Sequence, residues 1–314
     1  MPKNPIQFQK GLGLHEFLEE YASEEQCRAA LYQLRWPKGY ICPECGNTTG
    51  CKLKQRSVYQ CHKCHHQTSL TAGTIFHGTK LPLKKWFLAI YLLTQRKKST
   101  SALQLSREIG VNYNTAWQLK HKLMQVMMER ESGKKLSGRI EIDDAYLGGE
   151  KAGKRGRGSP NKVPFVAAVE TTQDGRPMKI QLRRVRGFRQ REIARYAKSS
   201  LAPGSDVISD GLWCFKSVTE AACTHSFIVI GGGRKSTQLS CFKWVNTMLG
   251  NVKNSLLGTF HAIRVKHTPR YLAEFEYRFN RRFDLPAMID RLVYVALRTP
   301  PMPYRLLRMA EVYG

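Results

Sequence analysis

"CPECG" at residues 42–46 and "CHKC" at 61–64 place two cysteine pairs in this chain, Cys42/Cys45 and Cys61/Cys64, with fifteen residues between the pairs. Two thiolates on a tight turn point at one locus, and a hairpin that brings the two turns together can set four sulfurs tetrahedrally around one Zn²⁺. A four-sulfur shell leaves no open coordination position, so the zinc is expected to be structural and the ribbon to contact DNA or a partner. With four cysteines available, His62, His65 and His66 are expected at the surface rather than on the metal. Cys27, Cys51, Cys214, Cys223 and Cys241 have no partner at ligand spacing and read as small hydrophobes or reduced thiols. Nine cysteines placed this unevenly along 314 residues do not make a secreted disulfide framework.

Lys and Arg number 51 against 24 Asp and Glu, a net charge of +27 that calls for a long polyanionic partner, nucleic acid before a membrane surface. The longest apolar run, "WFLAIYLL" at 86–93, falls well short of the ~20 residues a membrane-spanning helix needs. The polar start "MPKNPIQFQK" has no secretory apolar region, and a cytoplasmic protein is expected. A chain of this length has room for two or three domains.

Beyond the cysteines, "LPLKKWFLAIYLLTQRKKS" reads as an apolar helix ending in a basic cluster. In the next stretch Ala102, Leu105 and Ile109 keep helical spacing, Gly110 breaks it, and Ala116, Leu119, Leu123 and Val126 resume it. This is a helix-turn-helix pattern, whose bland reading is two packed helices of an all-α domain. Its second helix offers Asn112, Asn114, Gln118, Lys120 and Lys122 at polar positions, residue types that bond base edges and phosphates in a major groove.

From residue 138 the periodicity turns from helical to alternating. "GRIEIDDAYLGG" predicts a strand with Ile140 and Ile142 on one face and Glu141 and Asp143 on the other. "VPFVAAVETT" and "MKIQLRRVRG" follow as strands joined through "QDGRP". Between the first two strands lies a glycine-rich basic loop with Lys151, Lys154, Arg155, Arg157 and Lys162, which beside an active site would grip a DNA backbone. A helix ("RQREIARYAKSSL"), a short strand ("SDVISDG"), a further helix, a strand ("HSFIVIG") and a closing helix complete a ribonuclease H-like α/β layout. "GGGRKS" at 231–236 lacks nucleotide-motif spacing, and no nucleotide cofactor is implied. His261 and His267 read as polar helix residues. The expected division is an N-terminal helical segment at 1–36, the ribbon at 37–75, helix-turn-helix at 80–132, the ribonuclease H-like domain at 138–262 and a C-terminal helical extension at 263–314.

In that layout Asp143 lies on the first strand, Asp210 ends the fourth, and Asn246 follows, with thirty-five residues between, on a helix that also carries Gly250 and, two turns on from Asn246, Lys253. The arrangement resembles the DDE transposases, in which a third acidic residue normally holds the helix position and a basic residue follows seven places on. The blocks "RWPKGYICPECG", "TAGTIFHGTKLPLKKWFLAIYLL", "EIDDAYLGG", "SDG", "VNTMLGNVKNSLLGTFHAI" and "YLAEFEYRFNRRF" are similar, in order, to the bacterial insertion-sequence transposases that carry a zinc ribbon and are related to the Merlin elements. In that family Glu usually follows the first Asp, where this chain has Asp144, so the resemblance assigns metal binding to Asp143 with Asp144 behind it. Some members carry Asn as the third residue, as here.

The resemblance implies a DNA transposase with a catalytic set of Asp143, Asp210, Asn246 and Lys253, in which two Mg²⁺ or Mn²⁺ ions are held by Asp143, Asp210 and the Asn246 amide oxygen and Lys253 fixes a phosphate. It would bind inverted-repeat ends, free 3′-hydroxyls by hydrolysis and transfer them into double-stranded target DNA, as a homodimer or larger synaptic assembly, in the bacterial cytoplasm at the nucleoid. In "YLAEFEYRFNRRF", Arg278, Arg281 and Arg282 are either a DNA contact or the solvated side of a packed helix. Two rival classes are a non-catalytic DNA-binding descendant and a structure-selective nuclease on the same fold. Metal-dependent cleavage of end-containing DNA separates the first, and the two sequence-reading modules argue against the second.

Overall fold

Ser23 and Ser101 each open a helix by the same device, a hydroxyl accepting the N–H three residues on, from Gln26 at 3.1 Å and from Gln104 at 3.0 Å. The first cap starts α2 (Glu24–Arg35), which follows α1 (Leu14–Tyr21), and the second starts α4 (Ala102–Ile109). The computed structural model describes residues 10–53, 56–148, 162–229 and 239–310, and the chain divides into two compact units, residues 1–130 with 281–314, and residues 131–280.

In the first unit, β1 (Gly50–Lys52), β2 (Val58–Cys61) and β3 (Gln67–Ser69) form a small antiparallel sheet with the four-cysteine knuckles at its edge. The helix α3 (Leu83–Thr94) is largely buried and packs against α2, α4 and α9 (Met288–Ala296), with a further short helix, α10 (Tyr304–Met309), near the end of the described chain. Gly110, at φ 62°, takes the left-handed conformation that ends α4. Asn112 then accepts the Thr115 N–H at 2.8 Å and starts α5 (Tyr113–Glu131), completing the helix-turn-helix. Among the described residues no helix is long and apolar enough to cross a membrane.

The second unit is built on a five-stranded sheet in the order β6-β5-β4-β7-β8, made of β4 (Arg139–Leu147), β5 (Val163–Thr171), β6 (Pro177–Arg184), β7 (Asp206–Asp210) and β8 (Thr224–Ile228). The first three pair antiparallel, then β7 joins β4 in parallel and β8 joins β7 in parallel, after the crossover helix α6 (Gln190–Ser200) and a 3-10 segment at Trp213–Ala221. One face of the sheet buries Ile140, Ile142, Val166 and Ala168 against α6 and the 3-10 segment. The other buries Ala145, Phe165, Ala167 and Leu182 against α7 (Lys243–Leu257) and Leu272 of α8 (Thr268–Asn280). This is the ribonuclease H-like layout that the alternation of strands and helices leads one to expect.

The expected C-terminal extension at 263–314 is shared between the units, because α8 is bonded to the sheet. Glu276 Oε2 accepts the Leu182 N–H at 3.0 Å and Arg183 Nη1 at 2.9 Å, and Asn280, one turn on, exchanges hydrogen bonds with Ile180 N at 2.8 Å and Ile180 O at 3.0 Å. These side chains satisfy backbone groups on the outer edge of β6, where an open edge would invite another strand. Arg278 and Arg281 are buried, so "YLAEFEYRFNRRF" does not present the exposed arginine stripe that its periodicity left open.

Candidate active site and metal centres

The cysteine turns come first in the chain. Gly46, at φ 70°, and His65, at φ 57°, close two equivalent knuckles, in which Gly46 N bonds Cys42 O at 3.0 Å and His65 N bonds Cys61 O at 3.1 Å. The ligand atoms of Cys42, Cys45, Cys61 and Cys64 lie within 4.8 Å of one another, and the Cys42–Cys64 and Cys45–Cys61 sulfurs are each 3.6 Å apart. A Zn–S bond of about 2.3 Å in a tetrahedron separates sulfurs by about 3.8 Å, so the four thiols fit a closed zinc shell. Behind them Trp36, Tyr40 and Tyr59 pack ring to ring at 5.1–5.9 Å. Gly50 is required there, since a Cβ would stand 2.6 Å from the Tyr40 ring.

The second centre arises where the parallel ladder of the sheet stops. Pairing of β4 with β7 ends at Ile142–Ser209, so Asp143, Asp144 and Asp210 lie just past it, toward the carboxyl ends of the two strands. Each contributes a carboxylate oxygen, and these atoms lie within 4.8 Å of one another. Asp210 is steadied by its own turn, with Oδ1 accepting the Leu212 N–H at 3.0 Å, while its carbonyl accepts the Ser209 hydroxyl at 2.7 Å. The Ser209 hydroxyl also meets His225 Nε2 at 2.9 Å. Burial, with the neighbouring Asp144 and Asp210 carboxylates, pushes Asp143 up to about 7, against the opposing pull of the Asp144 N–H and Lys253. Three crowded carboxylates cannot all stay ionised without a cation, and hard oxygen donors are the set that Mg²⁺ or Mn²⁺ takes. The residues fit such an ion.

Asp144 therefore stands in the acidic cluster itself, whereas the sequence placed it behind Asp143. Both residues lie beyond the last pairing of β4 with β7, and there both carboxylates come within reach of Asp210. Lys253, on α7, is close enough for its charge to act on Asp143. Asn246 is half-buried in the first turns of the same helix, and Gly250 is exposed, with open space where a Cβ would stand.

Of the helix-turn-helix assignments, Lys120 needs correction. Lys120 is only 1% exposed and its ammonium donates to Thr100 O at 2.6 Å. It shares a helical face with Ala116, Leu123 and Met127, all buried, which the polar identity of a lysine disguises. Lys122 is half-buried, its ammonium 5.8 Å from the Trp86 ring, and burial lowers its pKa. Asn112 is engaged as the cap of α5 and Gln118 is half-buried, which leaves Tyr113 and Asn114 exposed at the start of the helix. Lys151, Lys154, Arg155 and Arg157 lie outside the described residues, as does "GGGRKS". Lys162 is half-buried, immediately before β5.

A sheet of this topology with clustered carboxylates at the ends of adjacent parallel strands, in a chain that also carries a four-cysteine ribbon, defines a class by its fold: the ribonuclease H-like proteins. Residues 135–280 match the ISXO2-like transposase domain and residues 22–67 the transposase zinc-ribbon domain. The chain belongs to the zinc-ribbon insertion-sequence transposases. Over 143 residues it is 32% identical to an "uncharacterized protein in transposable element ISH50" of Halobacterium salinarum, an alignment that covers 45% of this chain and 46% of that relative.

Proposed function

We propose that the chain cuts at the ends of its own element to free 3′-hydroxyls and joins them to target DNA, with the cluster of Asp143, Asp144 and Asp210 as the reaction centre. The observation that carries this reading is the convergence of those three carboxylates within 4.8 Å inside the transposase domain. Divalent cations bound there supply stabilisation of the charge that develops on the attacking and leaving oxygens of an in-line phosphoryl transfer. The chain's own part is to hold and orient: the carboxylates bind cation, Asn246 offers a neutral amide oxygen, and Lys253 fixes a phosphate as a point charge. Two ends must be brought together, so the working unit is a dimer or larger assembly. The test is purified full-length protein with DNA carrying its inverted repeats and Mg²⁺ or Mn²⁺. Nicks mapping to the element ends support the reading, and DNA that stays intact at every metal concentration rejects it.

The neutral third residue makes a separate forecast. An amide holds a cation less firmly than a carboxylate, so Asn246→Asp is expected to retain cleavage and to lower the half-saturating Mn²⁺ concentration by about tenfold, since ligand charge count tunes affinity. Asn246→Ala is expected to lose most activity and to regain part of it at high Mn²⁺. An unchanged metal requirement in both variants removes Asn246 from the ligand set.

DNA backbone binding is assigned to the basic end of the sheet. Arg184 pairs with Phe165, which pairs with Ala145, so Arg184 lies in the same register layer as a residue just two positions beyond Asp143 on β4. Arg184 and Arg186 are exposed and flank Val185, whose N–H bonds Pro164 O two residues after Lys162. Arg183, by contrast, is committed to Glu276. Replacing Lys162, Arg184 and Arg186 together with alanine is expected to reduce the slope of log K against log salt for non-specific duplex by about 2 to 3, close to one for each lost phosphate contact. A slope equal to wild type, read by fluorescence anisotropy between low and moderate salt, rejects the assignment.

A further inference from the structure

We infer that Glu141 is a positioning residue of this site: from β4, two residues before Asp143 and on the same face, its carboxylate grips the first turn of α7 and so sets Asn246 and Lys253 against the acidic cluster. Glu141 is fully buried, 0% exposed. Its Oε2 accepts two backbone N–H groups of α7, from Trp244 at 2.8 Å and Val245 at 3.0 Å, and its Oε1 accepts Arg139 Nη1 at 3.2 Å. The residue that precedes α7, Phe242, provides no side-chain cap, so these N–H groups would otherwise have no intrahelical acceptor. A carboxylate also suits the positive end of the helix dipole.

A local serine or aspartate at position 242 would satisfy the helix equally well, but it would leave α7 free to slide on the apolar face of the sheet. A cap that belongs to β4 ties helix to strand. Asn246 is the residue immediately after Val245, so the position of its backbone relative to Asp143 is fixed through a single short path: Asp143, the β4 backbone, the Glu141 side chain, the Val245 N–H. A second tether acts on the same turn, as the Trp244 indole donates to Gly175 O in the β5–β6 hairpin. Burying a carboxylate is costly unless donors surround it, and here two of its three donors belong to the link with α7 while Arg139 of β4 supplies the third. What the held site does rests on the transposase reading; that it is held does not.

The experiment uses the full chain as wild type, Glu141→Ala, Glu141→Asp and Glu141→Gln. Mn²⁺ affinity is measured by electron paramagnetic resonance of the free ion, and hydrogen exchange is followed over residues 243–257. Glutamine keeps the reach and an oxygen that accepts both N–H groups, whereas aspartate keeps the charge and loses the reach. Glu141→Ala and Glu141→Asp are expected to raise the half-saturating Mn²⁺ concentration about tenfold, and Glu141→Gln to stay within about threefold of wild type, by analogy with the loss of partners that orient metal ligands. Exchange in the first turn of α7 should quicken in the first two variants while β4 and β5 keep their protection. If Glu141→Ala does not fold, the contrast of Asp with Gln decides alone. Wild-type Mn²⁺ affinity in folded Glu141→Asp, or a defect in Gln without one in Asp, overturns the inference, as does unchanged α7 exchange. A wild type that binds Mn²⁺ and never cuts DNA sinks the transposition chemistry and leaves Glu141 standing, while a wild type that binds no Mn²⁺ sinks both.

Discussion

Asp143→Ala and Asp210→Ala proteins are expected to bind element ends as wild type does and to cut them at least about 10³-fold more slowly. Removing a carboxylate from the cluster removes several kcal/mol of cation-mediated charge stabilisation, and each ~1.4 kcal/mol is a factor of ten in rate. Gel-shift and end-nicking assays on the same preparations read the two properties apart, and a parallel loss of both would mean that the fold, not the chemistry, was damaged. The same residue leaves a mark on stability. Asp143 in the folded, cation-free protein titrates at about 7, well above an unfolded aspartate near 3.9. A group whose folded value is raised contributes stability that is fully present below the unfolded pKa and is lost as pH rises through the folded one. In chelator at pH 8, therefore, Asp143→Asn is expected to melt about 3–8 °C above wild type, while at pH 4 the two converge. Adding Mn²⁺ at pH 8 should raise wild type and leave the variant unmoved. A wild type indifferent to Mn²⁺ would falsify the assignment of this cluster to a cation.

Cys42→Ser is expected to unfold the ribbon without touching the catalytic unit. A structural Zn²⁺ in a small module contributes on the order of 10 kcal/mol of apparent binding energy, which is folding energy where the apo form has little core of its own. The three-stranded sheet around Cys42, Cys45, Cys61 and Cys64 is of this kind, with strands of only three or four residues. The variant should lose stoichiometric zinc and most specific end binding. A fragment of residues 131–280, which carries both sheet cores together with α8, should keep its own melting transition and its response to Mn²⁺. That boundary matters, because α8 closes the β6 edge and residues from 281 onward belong with the N-terminal unit. If Cys42→Ser abolished the Mn²⁺ response of the full chain, the two metal centres would not be independent.

How much of this was legible in the chain differs from one residue to the next. The four cysteines announce their sheet because ligand spacing is a local property: two residues between thiols set each turn, and hydrogen bonds of the knuckles close it. The alternation through "RIEIDDAYL" and the near-continuous apolar run of β5 specify a central strand beside a fully buried one for the same reason. Asn112, Lys120 and Lys122 have partners that the helical pattern does not show, and for the buried Lys120 this overturns the reading. All are polar letters in a helical pattern, but one is a cap, one is buried on a backbone carbonyl and one lies over an indole, and each of those fates depends on what packs alongside.

The amino-acid sequence alone determined the ribbon, the strand and helix order of the catalytic unit and the candidacy of Asp143, Asp210, Asn246 and Lys253, since each follows from short-range spacing or from ordered blocks along the chain. Only the tertiary structure decided that Asp144 joins the cluster, that α8 seals the sheet edge and that Glu141 grips α7 across 103 and 104 positions of sequence. Those facts turn on where the β4–β7 ladder stops and on which buried carboxylate meets which free N–H, and no spacing along a chain carries that information, because hydrogen bonds between distant segments are chosen by the packing of the sheet and helices that bring them together.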